Sequence, residues 1–311
     1  MTTKHITVLT PCFNEEENVG PLYEAVRDVF ARLPQYRYSH LFIDNASRDR
    51  TVDILRGIAA TDPHVKVIVN TRNFGHIRSP YHGLLEAEGD AVIGMVADFQ
   101  DPPEMIPQLI AKWEEGAKLV LCVKSGSHET KAMFWLRSRY YNTLSSIAEV
   151  DIVRNATGFG LYDREVLEAV RRISDPYPFF RGQLAEVGYE PALIPYQQPA
   201  RQRGITSQNF YSLYDMAFLG LVNHSKVPLR LAALLGFLMA GLSLLAGFGY
   251  LAAKLLFWNS FSLGIAPILI GFFFMSAIQM IFVGILGEYV GFIYTQVKNR
   301  PHVFERERIN L

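Results

Sequence analysis

Residues 89–104 read GDAVIGMVADFQDPPE. An apolar run ends in Asp98, Gln100 and Asp101, and Pro102 and Pro103 stop it. A short run of this kind, bounded by turn residues, reads as a buried strand. A buried strand that finishes in oxygen donors and a rigid turn is the edge of a site. Asp98 offers a hard anionic oxygen and Gln100 a neutral one. Residues i and i+2 of an extended segment point the same way, so both can reach one ion. One or two carboxylates with substrate phosphates is the usual way Mg²⁺ or Mn²⁺ is held. Asp101 is open to two readings, a catalytic carboxylate or the cap of a helix whose first turn holds the prolines.

The same pattern recurs outward from this stretch. HITVLTP (5–11), SHLFIDN (39–45), VKVIVN (65–70) and LVLCV (119–123) read as further strands rich in Val, Ile and Leu. EENVGPLYEAVRDVFARL (16–33) and TVDILRGIAA (51–60) carry apolar residues at helical spacing. Such alternation predicts an α/β fold, a parallel sheet with helices on both faces. Ligands of these sheets bind at the carboxyl ends of the strands. Polar residues gather there: Asn14, Glu15 and Glu16 after the first strand, Asp44, Asn45 and Ser47 after the second, Arg72 and Asn73 after the third, and Asp98 onward after the fourth. Ser47 reads equally as a ligand contact or a helix N-cap, and Glu15 to Glu17 as contacts or as charges at a helix N-terminus. Asp44 stands one step off a strand end, where no cap is needed. GxGxxG and P-loop sequences are absent, which argues against dinucleotide binding and ATP hydrolysis.

Composition bounds the partners. The chain has 311 residues with 30 basic and 30 acidic side chains, so bulk charge suggests no nucleic acid. Cys12 and Cys122 lie in apolar contexts and read as reduced core thiols. The N-terminus has no apolar stretch long enough for a signal peptide. Residues 231–253 and 265–287 are each 23 positions without a charge. Each is long enough to span a bilayer, which needs about 20 apolar residues. Lys226 and Arg230 precede the first, Lys298, Arg300, Arg306 and Arg308 follow the second, and only Lys254 lies between. Positive flanks stay in the cytosol, so both termini and the globular part are expected on the inner face of the plasma membrane. Residues 130–148 and 209–226 mix aromatics with cations, as helices in the headgroup layer do. Arginine forks match phosphate, so Arg201 and Arg203 are candidate phosphate contacts, with Arg137 and Arg139, together with Lys124, as the alternative set.

TPCFNEEENV (10–19), FIDNASRDRT (42–51), TRNFGH (71–76), GDAVIGMVADFQDPPE and the two apolar stretches together resemble a membrane-bound family-2 glycosyltransferase. The resemblance covers nearly the whole chain, in order. It is strongest to the polyprenyl-phosphate group, which includes dolichyl-phosphate mannose synthases and bacterial polyisoprenyl-phosphate glucosyltransferases. It implies a GT-A fold, a divalent metal, often a tetramer, and inverting transfer of a sugar from a nucleotide diphosphate to a lipid phosphate. It also implies a nucleoside site at Pro11, Asn14 and Glu15, a base contact at Asp44, a metal segment over 96–100, and a mobile acceptor loop carrying Arg201, Gly204, Thr206 and Ser207. UDP-glucose is the donor the resemblance favours.

Three positions depart from the family pattern: Val96 for the first metal aspartate, Asn45 for a frequent aspartate, and Gly158 where relatives carry a proposed base. The last loss is softened by chemistry. A sugar hydroxyl needs a base, whereas a phosphate monoester, with a second pKa of about 6, is already an anionic nucleophile. The expected organisation is a catalytic domain over 1–205, a juxtamembrane helix over 206–228, two transmembrane helices over 229–290 and a cytosolic tail over 291–311. Two other functions fit less well: a glycosyltransferase with a hydroxyl acceptor, and a nucleotide-sugar-binding scaffold without turnover.

Overall fold

The computed structural model describes residues 3–125, 153, 155–173, 175–176, 178–199, 227–257, 265–298 and 300–311. They form two units, residues 1–220 with 299–311, and residues 221–298.

The first unit is built on one eight-stranded sheet. β1 (His5–Cys12), β2 (Arg37–Asp44), β3 (Val65–Asn70), β4 (Ala91–Gly94) and β5 (Leu119–Lys124) fall where the apolar runs predict them. β6 (Ala156–Asp163), β7 (Pro191–Tyr196) and β8 (Glu305–Ile309) complete the order β7-β5-β6-β4-β1-β2-β3-β8. The sheet is mixed, not wholly parallel. β4, β1, β2 and β3 run parallel, but β6 opposes both β4 and β5, and β8 opposes β3.

Alternation along the strands divides the core in two. Ile6, Val8, Phe42, Val65, Val67 and Val69 face one side, under α1 (Val19–Phe30), α2 (Thr51–Thr61) and α4 (Ile106–Glu114). Leu9, Leu41, Ile43 and Ile68 face the other, under α3 (Gly75–Glu86), α5 (Arg164–Arg171) and α6 (Phe180–Val187). Both faces are covered, which is why these strands read as unbroken apolar runs. Each buried Leu, Ile or Phe contributes about 1.5–3 kcal/mol. Gly160 shows why β6 lacks that signature. A Cβ there would collide with the Val120 carbonyl across the β5–β6 pair, so the strand needs a glycine. Cys12 and Cys122 are both buried and free.

His40 is a polar exception within this core. Its Nε2 lies 3.0 Å from Thr10 Oγ1, its ring stacks on Phe42, and its Nδ1 has no partner. Burial lowers its pKa from 6.5 to about 3. A base held down in this way stabilises the fold fully above 6.5 and progressively less as pH falls toward 3. At about pH 5 the loss is roughly 2 kcal/mol. Between about pH 7.5 and 5, thermal unfolding should show His40→Gln, which keeps a partner for Thr10, losing roughly 2 kcal/mol less stability than wild type. An equal slope in the variant would remove His40 as the cause.

The second unit holds α7 (Val227–Leu256) and α8 (Ile265–Lys298). Leu229–Gly249 and Phe274–Lys298 are long and apolar enough to cross a membrane, and neither is buried within the chain. The expected tail over 291–311 divides. Its first residues continue α8 to Lys298, and Glu305–Ile309 join the eight-stranded sheet as β8.

Candidate active site

The carboxyl ends of β1, β2, β3 and β4 share one rim. The first two loops are laced together. Asn14, with φ 55°, accepts from the Arg48 N–H through its side chain and donates its own N–H to Ser47 Oγ at 2.8 Å. The Glu15 N–H donates to Thr51 Oγ1, and the Glu15 carboxylate accepts from Asn18 Nδ2. Glu15 to Glu17 precede α1, which begins at Val19 and has no acidic residue in its first turn. Pro11 sits in β1 opposite Ile43.

Ser47 is not a helix cap. The cap position of α2 is Arg50, which makes no side-chain cap bond, and Asp49 before it accepts from the Thr51 N–H and hydroxyl at 3.0 and 2.5 Å. Ser47 instead donates its N–H and its hydroxyl to the two oxygens of Asp44. Asp44 ends β2 with no exposed surface, so its carboxylate holds the turn through Ala46, whose φ is 62°. Burial raises the Asp44 pKa, and the hydrogen bonds from Ser47 and the charge of Arg306 oppose that rise.

Asn45 joins the second loop to the third. Its Nδ2 donates to Asn73 Oδ1 at 2.9 Å and to the Gly75 carbonyl at 3.1 Å, and its Oδ1 accepts from the Phe74 N–H at 2.8 Å. Only an amide can do both, which is why an aspartate is absent here. Arg72 is exposed on this loop, its guanidinium 4.0 Å over the Phe74 ring.

After β4 the chain does not stay extended. Phe99 has φ 60°, and the Gln100 N–H donates to Asp98 Oδ1 at 3.1 Å, so Asp98 and Gln100 flank a turn. The expectation that strand geometry aligns them is therefore corrected: the turn brings them together. Val96 is exposed on the rim, while Asp98 and Asp101 are nearly buried. Asp101 caps no helix; the short helix Pro103–Met105 has no side-chain cap. It reaches back across the turn, accepting from the Val96 N–H at 3.0 Å and from the Tyr196 hydroxyl at 3.2 Å. Tyr196 also lies 3.2 Å from Thr157 Oγ1, which links the turn to β6. Asp101 therefore holds the segment in place through these two hydrogen bonds.

Burial pushes the Asp101 carboxyl up to about 7, and the nearby charge of Asp98 adds to this. Ionising it thus costs stability as pH rises from 3.8 through about 7. In metal-free protein Asp101→Asn should remove that penalty and keep both contacts, since tyrosine can accept from the amide. Asp101→Ala should orphan two buried donors at about 1–3 kcal/mol each. Equal melting temperatures for the two variants would refute this role.

Gly158 has φ 97°, a conformation an aspartate adopts only under strain. It lines a cavity of about 390 Å³ with Leu121, Ala156, Tyr162, Phe180 and Arg181. Lys124 ends β5 near enough to act on Asp101. Arg137, Arg139, Arg201, Arg203 and Ser207, with the segments 130–148 and 209–226, lie outside the described residues. Sequence reasoning missed Tyr196, Phe13, Phe304 and Arg306. The exposed Phe13 stands beside Asn14 and was visible in the motif, but the others reach the rim only through the fold.

Comparison places the chain in a class. Residues 7–171 match the glycosyl transferase family 2 model, and the chain belongs to that family. It is a glycosyltransferase with a GT-A-type sheet. It is 36% identical over 301 residues to the SfII prophage-derived bactoprenol glucosyl transferase of Shigella flexneri, covering 95% of this chain and 96% of that one. Identity to the bactoprenol glucosyl transferase of Shigella phage SfV is 35%, covering 97% and 99%. The prophage bactoprenol glucosyl transferase homolog of Escherichia coli K12 is 34% identical, covering 95% and 96%.

Proposed function

We propose that this enzyme moves a sugar, glucose from UDP-glucose in the favoured case, from a nucleotide diphosphate to a polyprenyl phosphate at the cytosolic membrane face, inverting the anomeric centre. The observation that carries the reading is the length of the match. Relatives named for bactoprenol as acceptor align across 95–97% of this chain, the two apolar helices included.

The donor rests along the rim, with its diphosphate at the turn after β4 and its nucleoside toward β2 and β3. Asp98 and Gln100 are the residues for Mg²⁺ or Mn²⁺. Hard oxygen donors suit such an ion, and two buried carboxylates at one turn make a cation favourable there. No group of three His, Cys, Asp or Glu able to hold a metal occurs among the described residues, so donor phosphates complete the shell. The ion supplies Lewis-acid stabilisation of the leaving diphosphate. Arg72 adds a fixed cation on the nucleoside side.

The acceptor phosphate attacks without a base, which agrees with a glycine at 158. A hydroxyl acceptor would need a carboxylate where the backbone favours none. Lys124, with Arg137, Arg139, Arg201, Arg203 and Ser207, supplies the cations and hydroxyl that shield and orient the attacking phosphate. The pairing of β8 with β3 supports a two-span hairpin with both termini on the catalytic side. Assembly as a homotetramer is part of the same proposal, by resemblance.

The test is a donor panel with purified protein in lipid. Release of nucleoside diphosphate should require both polyprenyl phosphate and a divalent ion, and UDP-glucose should be the best donor. Turnover with a hydroxyl acceptor alone would overturn the acceptor assignment.

A further inference from the structure

We infer that the strand following the apolar helices completes the donor site, with Phe304 as the ring against which the donor's nucleobase lies. This rests on the reading of the rim as a nucleotide-sugar site. β8 closes the sheet beside β3, and at its head the Phe304 carbonyl accepts from the Thr71 N–H at 2.8 Å and from Thr71 Oγ1 at 3.0 Å. The loop carrying Arg72 is thus gripped by Asn45 on one side and by Phe304 on the other. The Phe304 ring lies 6.3 Å from that of Phe74, which carries the Arg72 guanidinium. It is nonetheless 58% exposed.

Arg306, two residues on, is exposed as well. It has no hydrogen-bond or ion-pair partner among the described residues, yet its charge reaches Asp44. Its neighbours are all engaged: Glu305 with His82, Glu307 with Arg56, and Arg308 with Glu86. An open aromatic face, with an uncommitted guanidinium two residues on, fits a planar base.

Strand order says which end of the donor arrives there. The metal turn follows β4, and β1, β2, β3 and β8 succeed it across the sheet. Neighbouring strands are about 4.8 Å apart, so the β3 rim lies roughly 14 Å from that turn. An extended nucleoside diphosphate covers a comparable distance, which puts its base, not its phosphates, beside Phe304. Aromatic faces accept any base, so this contact adds affinity without choosing the nucleotide.

The experiment compares wild type with Phe304→Ala and Phe304→Trp, as full-length protein in nanodiscs, by calorimetry with Mg²⁺ present. The ring is exposed and the gripping atom is its backbone carbonyl, so the alanine variant keeps the loop contacts. UDP should bind about tenfold more weakly to Phe304→Ala, near-normally to Phe304→Trp, and magnesium pyrophosphate, which lacks a base, should bind all three alike. UDP affinity within twofold of wild type, or an equal loss for pyrophosphate, overturns the inference. So does an effect confined to liposome association, which would make Phe304 a membrane contact. Wild-type protein that binds no nucleoside diphosphate would instead sink the donor reading beneath it.

Discussion

Asp98→Asn is expected to lower sugar transfer by about a thousandfold while the protein stays folded. The substitution separates two roles of this side chain. Asp98 Oδ1 accepts the Gln100 N–H, and that bond sets the turn in which Phe99 takes its left-handed conformation. An asparagine oxygen can still accept it, so the turn survives. The anionic ligand does not survive; position 96 is a valine, and the other carboxylate of the turn, Asp101, is engaged by the Val96 N–H and the Tyr196 hydroxyl. The loss should fall mainly on kcat, because charge develops on the leaving diphosphate during the reaction. Raising Mg²⁺ or Mn²⁺ should restore little. Activity within tenfold of wild type would refute the assignment of the ion to this turn.

Asn45→Asp is expected to weaken donor binding by one to two orders of magnitude and to lower the melting temperature by several degrees. This variant installs the aspartate that the family resemblance led one to expect at this position. The reason is local. Asn45 Nδ2 donates to Asn73 Oδ1 and to the Gly75 carbonyl, and a carboxylate there would face two acceptors at hydrogen-bond distance. Leaving such buried groups unmatched costs about 1–3 kcal/mol each. The Phe74 N–H and Asn70 Nδ2 could still donate to the carboxylate, so β2 and β3 remain paired. What is released is the loop that presents Arg72. Donor KM should therefore rise more than kcat falls, and Asn45→Ser should be milder than Asn45→Asp. A variant with wild-type melting and wild-type KM would show that the loop is held by Phe304 alone.

Legibility followed burial. β1 to β5 were readable because strands covered on both faces must be apolar throughout, and α1 and α2 because their buried residues recur at helical spacing. β6 was hidden by Gly158 and Gly160, residues that weaken a strand signal but are required by close backbone approach and a left-handed φ. β8 was hidden by its composition: Glu305–Ile309 alternates charges and reads as a solvated tail. Edge strands tolerate such sequences because their ladder bonds are backbone bonds and their side chains need only surface partners.

The rim was legible in the same partial way. Polar residues after four strand ends pointed to one face, but nothing in the string told direction. Asp44 turned inward onto Ser47, Ser47 bridged two loops, and Asp101 crossed its own turn to Val96 and Tyr196.

The amino-acid sequence alone determined the α/β class, the two apolar helices and the polar residues at the strand ends, because apolar periodicity and strand-end chemistry are local properties of the chain. Only the tertiary structure decided which polar groups are spent holding the loops and which face the ligand. It alone also brought residues 304–309 beside β3 and the loop that follows it. Hydrogen bonds between groups 28 to 233 positions apart form only once the sheet has set their distance.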